Sequence, residues 1–352
     1  MPNIRNKILN GNNTYTSNGL TITQGQVANT ISITDYSNTS IAVANKVLPS
    51  IVGITVEYKV NSMFGGSSTA SGAGSGIIVS SDGYILTNNH VVNSSSSSSY
   101  YQITEATNVK VKLYNDDTEY DATVVGSDSQ TDLAVIKINK DGLTAAELGD
   151  SDSVQVGEFA MAIGNPLGLQ SSISCGIISA KNREVQDSET RTTYNLIQTD
   201  AAINSGNSGG ALVNADGKVI GINTLKLSGT GVEGIGFAIP INSTISVYNE
   251  LKTNGKIARP FIGITGVDID EAKAKQYNLV EGVYIKSIDN FSAAEKAGLK
   301  IGDVIIEANG TKIKTMEELT NIKNALKIGD KMTLKINRDG KEKEITLTLQ
   351  EQ

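Results

Sequence analysis

Three side chains, far apart in the chain, carry the functional groups needed for acyl transfer at a carbonyl: His90, Asp132 and Ser208. His90 is the only histidine among 352 residues and follows the apolar run YILTNN. An imidazole can both accept and return a proton near neutral pH. Ser208 lies in INSGNSGGAL, where Gly206, Gly209 and Gly210 permit a sharp backbone and close approach of a substrate. Such a turn can also aim backbone N–H groups at a developing oxyanion. Asp132 lies in TDLAVIK, at the mouth of an apolar strand. A sheltered carboxylate there can fix an imidazole's tautomer and stabilise its cation. Each residue alone has an ordinary explanation: a structural histidine, a Gly/Ser loop, a turn aspartate before a strand.

Their combination is less ordinary. The chain order is His, Asp, Ser, with spacings of 42 and 76 residues. That is the order of the chymotrypsin arrangement, and it differs from the orders in subtilisins and α/β-hydrolases. If His90 is the base, the rate is expected to climb across about pH 6–8, as an imidazole loses its proton.

The elements that must position these groups read as many short strands. Asp82-Gly83 and Asp216-Gly217 each separate two apolar runs, which signals hairpins. Further strand-like runs are Ile51–Val60, Val109–Tyr114, Thr118–Val125, Ala134–Ile138, Phe159–Ile163, Ser172–Ser179, Asn195–Thr199 and Gly234–Ile239. This pattern predicts a barrel or sandwich. A helix is expected at Ile41–Val47, and another at Ser243–Thr253 with Gly255 at its C-terminal stop. Ser94–Ser99 reads as an exposed loop.

Charge marks a boundary at Lys256–Pro260. Residues 1–258 hold 15 basic and 22 acidic side chains, whereas residues 259–352 hold 15 of each, so charge density roughly doubles. Beyond it, strands and helices mix. Thr315 and Glu318 form a capping box for a helix running to about Leu326. Ser292–Ala297 reads as a short helix closed by Gly298, and Asp339-Gly340 as a third hairpin turn.

Composition excludes several functions. A net charge of -7 opposes nucleic acid as a partner. One cysteine, Cys175, allows no intrachain disulfide, and one His with one Cys cannot assemble a zinc site, so neither metal nor cofactor is expected. Residues 1–35 are Asn-, Thr- and Ser-rich and read as a flexible tail, without an apolar run of spanning length.

TNNHVV, TDLAVIK, IGNPLG, QTDAAINSGNSGGALVN and GIGFAIP occur in that order, and the chain resembles the HtrA (Deg) family of serine proteases over roughly residues 36–350. The resemblance implies a mainly β protein: a chymotrypsin-like double β-barrel protease domain at 36–256 and a C-terminal α+β PDZ domain at 259–352. His90 and Asp132 would come from the first barrel and Ser208 from the second. Gly206, Asn207 and Ser208 would line the oxyanion hole. Ile203, Ile235, Gly236 and Phe237 would line a substrate pocket for small to medium aliphatic residues, with the strand at Gly234–Ile239 pairing substrate backbone. Arg183 would couple a polar regulatory loop, Glu184–Thr193, to the site.

In the PDZ-like part, Phe261, Ile262, Gly263 and Ile264 would receive a peptide's C-terminal carboxylate and add the peptide as a strand. The family implies ATP-independent cleavage of unfolded or damaged proteins, a homotrimer or higher multiple, and an extracytoplasmic envelope location. A membrane association is expected only through an anchor absent from this chain. The competing reading is a proteolytically inactive chaperone or peptide-binding scaffold with the same fold.

Overall fold

Backbone pairing begins inside the polar N-terminal segment in the computed structural model, which describes residues 14–17, 20–23, 33–62, 67–93, 101–165, 171–187, 192–204, 206–224 and 234–351. Thr14–Ser17 (β1) and Leu20–Thr23 (β2) form an antiparallel ladder within the expected tail. Helix α1 spans Ile33–Val47, so it starts at Ile33 rather than Ile41. The early turns are polar, and Thr39 and Ser40 return their hydroxyls to the carbonyls of Asp35 and Tyr36, at 2.8 and 3.0 Å. Such back-bonding hides a helix from apolar periodicity. The loop expected at Ser94–Ser99 lies outside the described residues.

Contacts divide the chain into two units, Met1–Gly255 and Lys256–Gln352. In the first unit, β3 (Ile51–Ser62), β4 (Ser67–Ile78), β5 (Tyr84–Asn88), β6 (Tyr101–Lys112), β7 (Glu119–Asp128) and β8 (Leu133–Ile138) close a barrel in the order β3-β4-β5-β8-β7-β6. Val52, Ile54, Val56 and Tyr58 on β3, Val109 and Val111 on β6, and Ala134, Ile136 and Ile138 on β8 fill it. Each set recurs at every second position, the period that sends a strand's apolar side chains to one face.

A second barrel follows: β9 (Phe159–Gly164), β10 (Ser172–Gln186), β11 (Thr193–Thr199), β12 (Ala211–Val213), β13 (Val219–Thr224) and β14 (Gly236–Pro240), closed as β10-β11-β14-β13-β12-β9. Counted from its own first strand, each barrel has the same winding, 1-2-3-6-5-4. Small residues, Ala160, Ala162, Ala201 and Ala238, let its walls approach around Ile178, Ile197 and Leu212.

After β14 the chain enters α3 (Ile241–Asn254), which ends at Gly255 with φ of 75°. α3 returns to the first barrel. A Cβ at Gly126 on β7 would lie 2.5 Å from the Gly255 carbonyl oxygen, and Lys252 Nζ stands 4.0 Å over the Tyr84 ring. The helix thereby ties the end of one barrel to the wall of the other.

The second unit holds a sheet ordered β16 (Ile264–Ile269), β17 (Gly282–Ile288), β18 (Val304–Ala308), β20 (Lys331–Arg338), β21 (Lys341–Thr348), with β19 (Thr311–Lys312) on β18, and a separate pair of β15 (Pro260–Phe261) with β22 (Gln350–Glu351). Asp339 and Gly340 turn β20 into β21 with φ of 53° and 76°, as an Asp-Gly hairpin demands. α5 (Ala293–Lys296) is capped by Ser292, and α6 (Met316–Asn324) by the reciprocal pair Thr315 and Glu318. α4 (Glu271–Tyr277), between Asp270 and a left-handed Asn278, is an element the sequence reading did not include. Asp303, 1% exposed, receives Arg338 through Nε at 2.6 Å and Nη2 at 2.8 Å.

Candidate active site

β5 delivers an extended Asn88, after which the chain makes one helical turn, α2 (Asn89–Val92), with His90 on it. Opposite stands Asp132, 2% exposed, with φ of 55°. A non-glycine residue in the left-handed region stores strain, and Asp and Asn tolerate it best. The Asp132 carboxylate accepts from His90 Nδ1 at 2.8 Å through Oδ2 and from the His90 backbone N–H at 3.0 Å through Oδ1. Its own carbonyl accepts from Asn88 Nδ2 and Asn89 N–H, each at 3.0 Å. The strained residue and the histidine turn are therefore locked from both ends. The second barrel contributes Thr224, whose hydroxyl donates to Asp132 Oδ2 at 3.3 Å.

Ser208 sits in the turn joining β11 to β12. Gly206 and Gly209 adopt φ of 101° and 80° there. The run Gly206–Gly210 also spells G-x-S-x-G, but it connects two strands of a closed barrel rather than a strand and a helix. Gly209 N–H donates to Asn223 O, and Asn223 N–H to Gly210 O, both at 2.9 Å, so β13 braces the turn. From the first barrel, Ser75 N–H donates to Ser208 O at 2.8 Å.

Gly74 shows how close the histidine turn and the serine turn lie. A Cβ there would sit 2.6 Å from Val91 Cγ1 and 3.2 Å from Ser208 O. Only a hydrogen atom fits between the histidine turn and the serine turn, so the fold brings the segments that carry His90, Asp132 and Ser208 to one seam between the barrels.

Tyr58 steadies the histidine turn from beneath. Its hydroxyl donates to Val91 O at 2.9 Å, and burial pushes its pKa up to about 12. Burial first, and then the charges of Asp132, Asp187 and Asp128, push the Tyr194 hydroxyl well above the ordinary phenol range. Both phenols therefore stay neutral near the site at physiological pH. Among the described residues, no group of three or more His, Cys, Asp or Glu could hold a metal ion.

Three expected features differ in detail. Asn207 N–H donates to Asn204 O at 3.0 Å, so of the three groups assigned to the oxyanion hole this one is committed inside the turn. β14 pairs with β11 over Gly236–Ala238 and with β13 over Phe237–Pro240, so neither edge is free along its whole length for a substrate strand. Gly236 meets Ile203, whose Cγ1 would lie 2.9 Å from an added Cβ, while Phe237 is buried and Ile235 is 38% exposed. Arg183 is exposed and pairs with Leu196, so the ladder of β10 and β11 extends through Gln186 and Thr193 where a loop was expected. A register shift between Ala180 and Arg183, with Asn182 at φ of 51°, hides that extension from the sequence pattern.

In the second unit, the carbonyls of Ile262 and Gly263 accept from Ala294 N–H at 2.8 Å and Asp289 N–H at 3.0 Å. A trans peptide sets its N–H opposite its C=O, so the N–H groups of Gly263 and Ile264 face away from those partners. Gly263 has φ of 84°, and a Cβ there would meet Ser292 Cβ at 2.1 Å. β16 is the terminal strand of its sheet, so its second edge is unpaired by any described strand.

The sequence reading did not single out Ser75, Thr224, Tyr58 or Gly74. The one local signal was the Gly-Ser-Gly run at 74–76, unusual inside a strand.

Comparison with known proteins agrees with this geometry. Residues 74–222 match the trypsin-like peptidase domain and residues 260–349 the PDZ domain. The serine protease Do-like HtrA of Bacillus subtilis is 46% identical over 318 residues, covering 84% of this chain and 69% of that protein. The periplasmic serine endoprotease DegP of Escherichia coli is 42% identical over 282 residues, covering 79% of this chain and 57% of that protein. Among solved structures, the HtrA-type protease AlgW with a decapeptide superposes with a TM-score of 0.68 at 31% identity, over 89% of this chain and 98% of that one. The serine endoprotease from Yersinia pestis gives 0.63 at 33%, over 90% and 97%.

Proposed function

This chain belongs to the HtrA family of serine proteases, a trypsin-like peptidase domain followed by one PDZ domain, and from that premise we propose that His90, Asp132 and Ser208 are its catalytic triad. The observation that carries the assignment is the buried Asp132 carboxylate on His90 Nδ1 at 2.8 Å. With Nδ1–H donated there, Nε2 is the nitrogen left to take the Ser208 proton. Ser208 Oγ attacks the scissile carbonyl, and the N–H groups of Gly206 and Ser208 stabilise the oxyanion. His90 returns the proton to the leaving amine, and water resolves the acyl-enzyme.

The substrates are unfolded or damaged proteins, cut after small to medium aliphatic residues. Ile203 pressed on Gly236 supports a shallow apolar pocket, and the run Ile235–Ile239 offers no carboxylate to select a basic side chain. The loop Phe261–Ile264 and the open edge of β16 receive C-terminal peptides. Arg183 and the extended hairpin after it have the regulatory role.

The working assembly is a trimer. On the outer face of the second barrel, Tyr36 meets Phe159 edge to face at 5.6 Å, and Ile177, paired with Phe159, and Ile173 are 43% and 40% exposed. A contiguous apolar face of this kind suits a partner subunit. The protein works outside the cytoplasm, as its similarity to periplasmic endoproteases suggests. No described helix is long and apolar enough to cross a membrane.

Digestion of casein by the wild type and by Ser208→Ala tests the central assignment. Cleavage by the wild type alone is the expected result. Equal digestion by both removes Ser208 as nucleophile, and digestion by neither favours the chaperone reading.

A further inference from the structure

We propose that Ser75 is a positioning residue that sets the oxyanion turn from the opposite barrel. The inference rests on Ser208 being the nucleophile. Ser75 is fully buried on β4, in the barrel that carries His90. A serine in a strand core needs one partner for its hydroxyl. This one reaches across the seam. Its Oγ donates to Gly206 O at 2.5 Å and accepts from Asn165 N–H at 2.8 Å, so its single proton and one lone pair are both placed. Its backbone N–H holds Ser208 O at 2.8 Å.

The peptide plane between Asn207 and Ser208 carries the Ser208 N–H. That plane lies between two carbonyls, of Gly206 and Ser208, both pinned by the same residue. Rotating it alone breaks its own bond, from Gly210 N–H to Asn207 O at 2.9 Å, while the two planes that Ser75 pins keep the turn from moving as a whole. Asn207 N–H is tied to Asn204 O, which removes the remaining slack.

Ser75 is also tied to the base. Its carbonyl accepts from Thr87 Oγ1 at 2.7 Å, and Thr87 lies on β5, one residue before Asn88, which leads into the His90 turn. The backbone packs closely around it. A Cβ at Gly164 would meet Asn207 Cα at 2.7 Å and Ser75 Oγ at 2.9 Å, and one at Gly209 would meet Ser75 O at 2.3 Å. Base and oxyanion turn are thus registered through one side chain and its own peptide.

Losing the hydroxyl releases the Gly206 carbonyl while leaving the substrate pocket unchanged. The loss falls on the transition state, where donor placement counts, and not on ground-state binding. The test measures kcat and KM on a peptide substrate, and the affinity of a peptide boronate, for wild type, Ser75→Ala and Ser75→Cys. Labelling of the wild type by a fluorophosphonate comes first, since its failure overturns the reading of Ser208 and this proposal with it. With the wild type labelled, Ser75→Ala is expected to lose about ten- to a hundred-fold in kcat and a similar factor in boronate affinity, with KM within about two-fold; removal of a whole oxyanion donor costs about 10²–10³. Ser75→Cys, which keeps the shape and a weak donor, should fall between. If Ser75→Ala does not fold by circular dichroism, Ser75→Cys carries the test through its own loss of kcat. An unchanged kcat in a folded variant, or a loss expressed wholly in KM, overturns the proposal.

Discussion

Asp132 grips His90 at two points, through the imidazole Nδ1 at 2.8 Å and the backbone N–H at 3.0 Å, while its own backbone is held at φ of 55°. One carboxylate therefore sets both where the histidine turn sits and which way its ring faces.

Asp132→Asn separates electrostatics from shape. Asparagine tolerates the left-handed backbone, but its amide cannot accept from the imidazole as a carboxylate does. kcat on a peptide substrate should fall by about 10⁴-fold while the urea midpoint stays near that of the wild type. Asp132→Ala should lose as much activity and a further 1–3 kcal/mol or so of stability, from backbone strain no longer held. Activity of Asp132→Asn within ten-fold of the wild type would contradict the triad.

Gly74→Ala forces a methyl between Val91 and Ser208 O, at 2.6 and 3.2 Å. Overpacking of this kind typically costs about 1–3 kcal/mol. Because the strain wedges the histidine turn from the serine turn, kcat should fall far more than stability explains. A chemical melt beside a kcat measurement checks this; an active but destabilised variant would show that the seam can relax.

Tyr58 titrates at about 12 in the folded protein, above its ordinary 10.0. The unfolded chain therefore gives up this proton first as pH rises. The stabilising contribution of the neutral, buried phenol is complete below about pH 10 and lost between about 10 and 12. Tyr58→Phe should be less stable than the wild type at pH 8, by about 1 kcal/mol for the lost bond to Val91. The difference between the two proteins should shrink at pH 11. Denaturation at both pH values decides it, and a constant difference would place the proton elsewhere.

Arg338 and Asp303 form a nearly buried fork in the second unit, with side chains 18% and 1% exposed. Arg338→Met keeps the stem and leaves the buried carboxylate only the Lys300 N–H at 2.8 Å, at a cost of about 3–5 kcal/mol. Thermal melting should show that unit unfolding earlier, with hydrolysis of a short peptide retained. An unchanged melting profile would mean that Asp303 finds water or another donor.

The sequence alone determined the chemistry and the local turns. A single imidazole, a glycine-flanked serine and an aspartate before an apolar strand mark the candidate triad by type and order. Asp-Gly pairs at 82–83, 216–217 and 339–340 announce hairpins, because their backbone preference needs no distant partner. Thr315 and Glu318 announce a helix start for the same reason.

Only the tertiary structure decided what holds these parts in register. Ser75 and Gly206 are 131 residues apart, and Thr224 and Asp132 are 92 apart. The flanking Gly74 and Gly76 mark Ser75 as unusual in a strand, but nothing near it in the chain names its partners. The early turns of α1, the long hairpin past Arg183 and the two paired edges of β14 were hidden likewise, since polar sequence and bulged register carry no periodic signal. Spacing along a chain encodes which backbone shapes are cheap. Which side chains meet across a seam depends on how two closed barrels pack, and that is set by the sum of their cores.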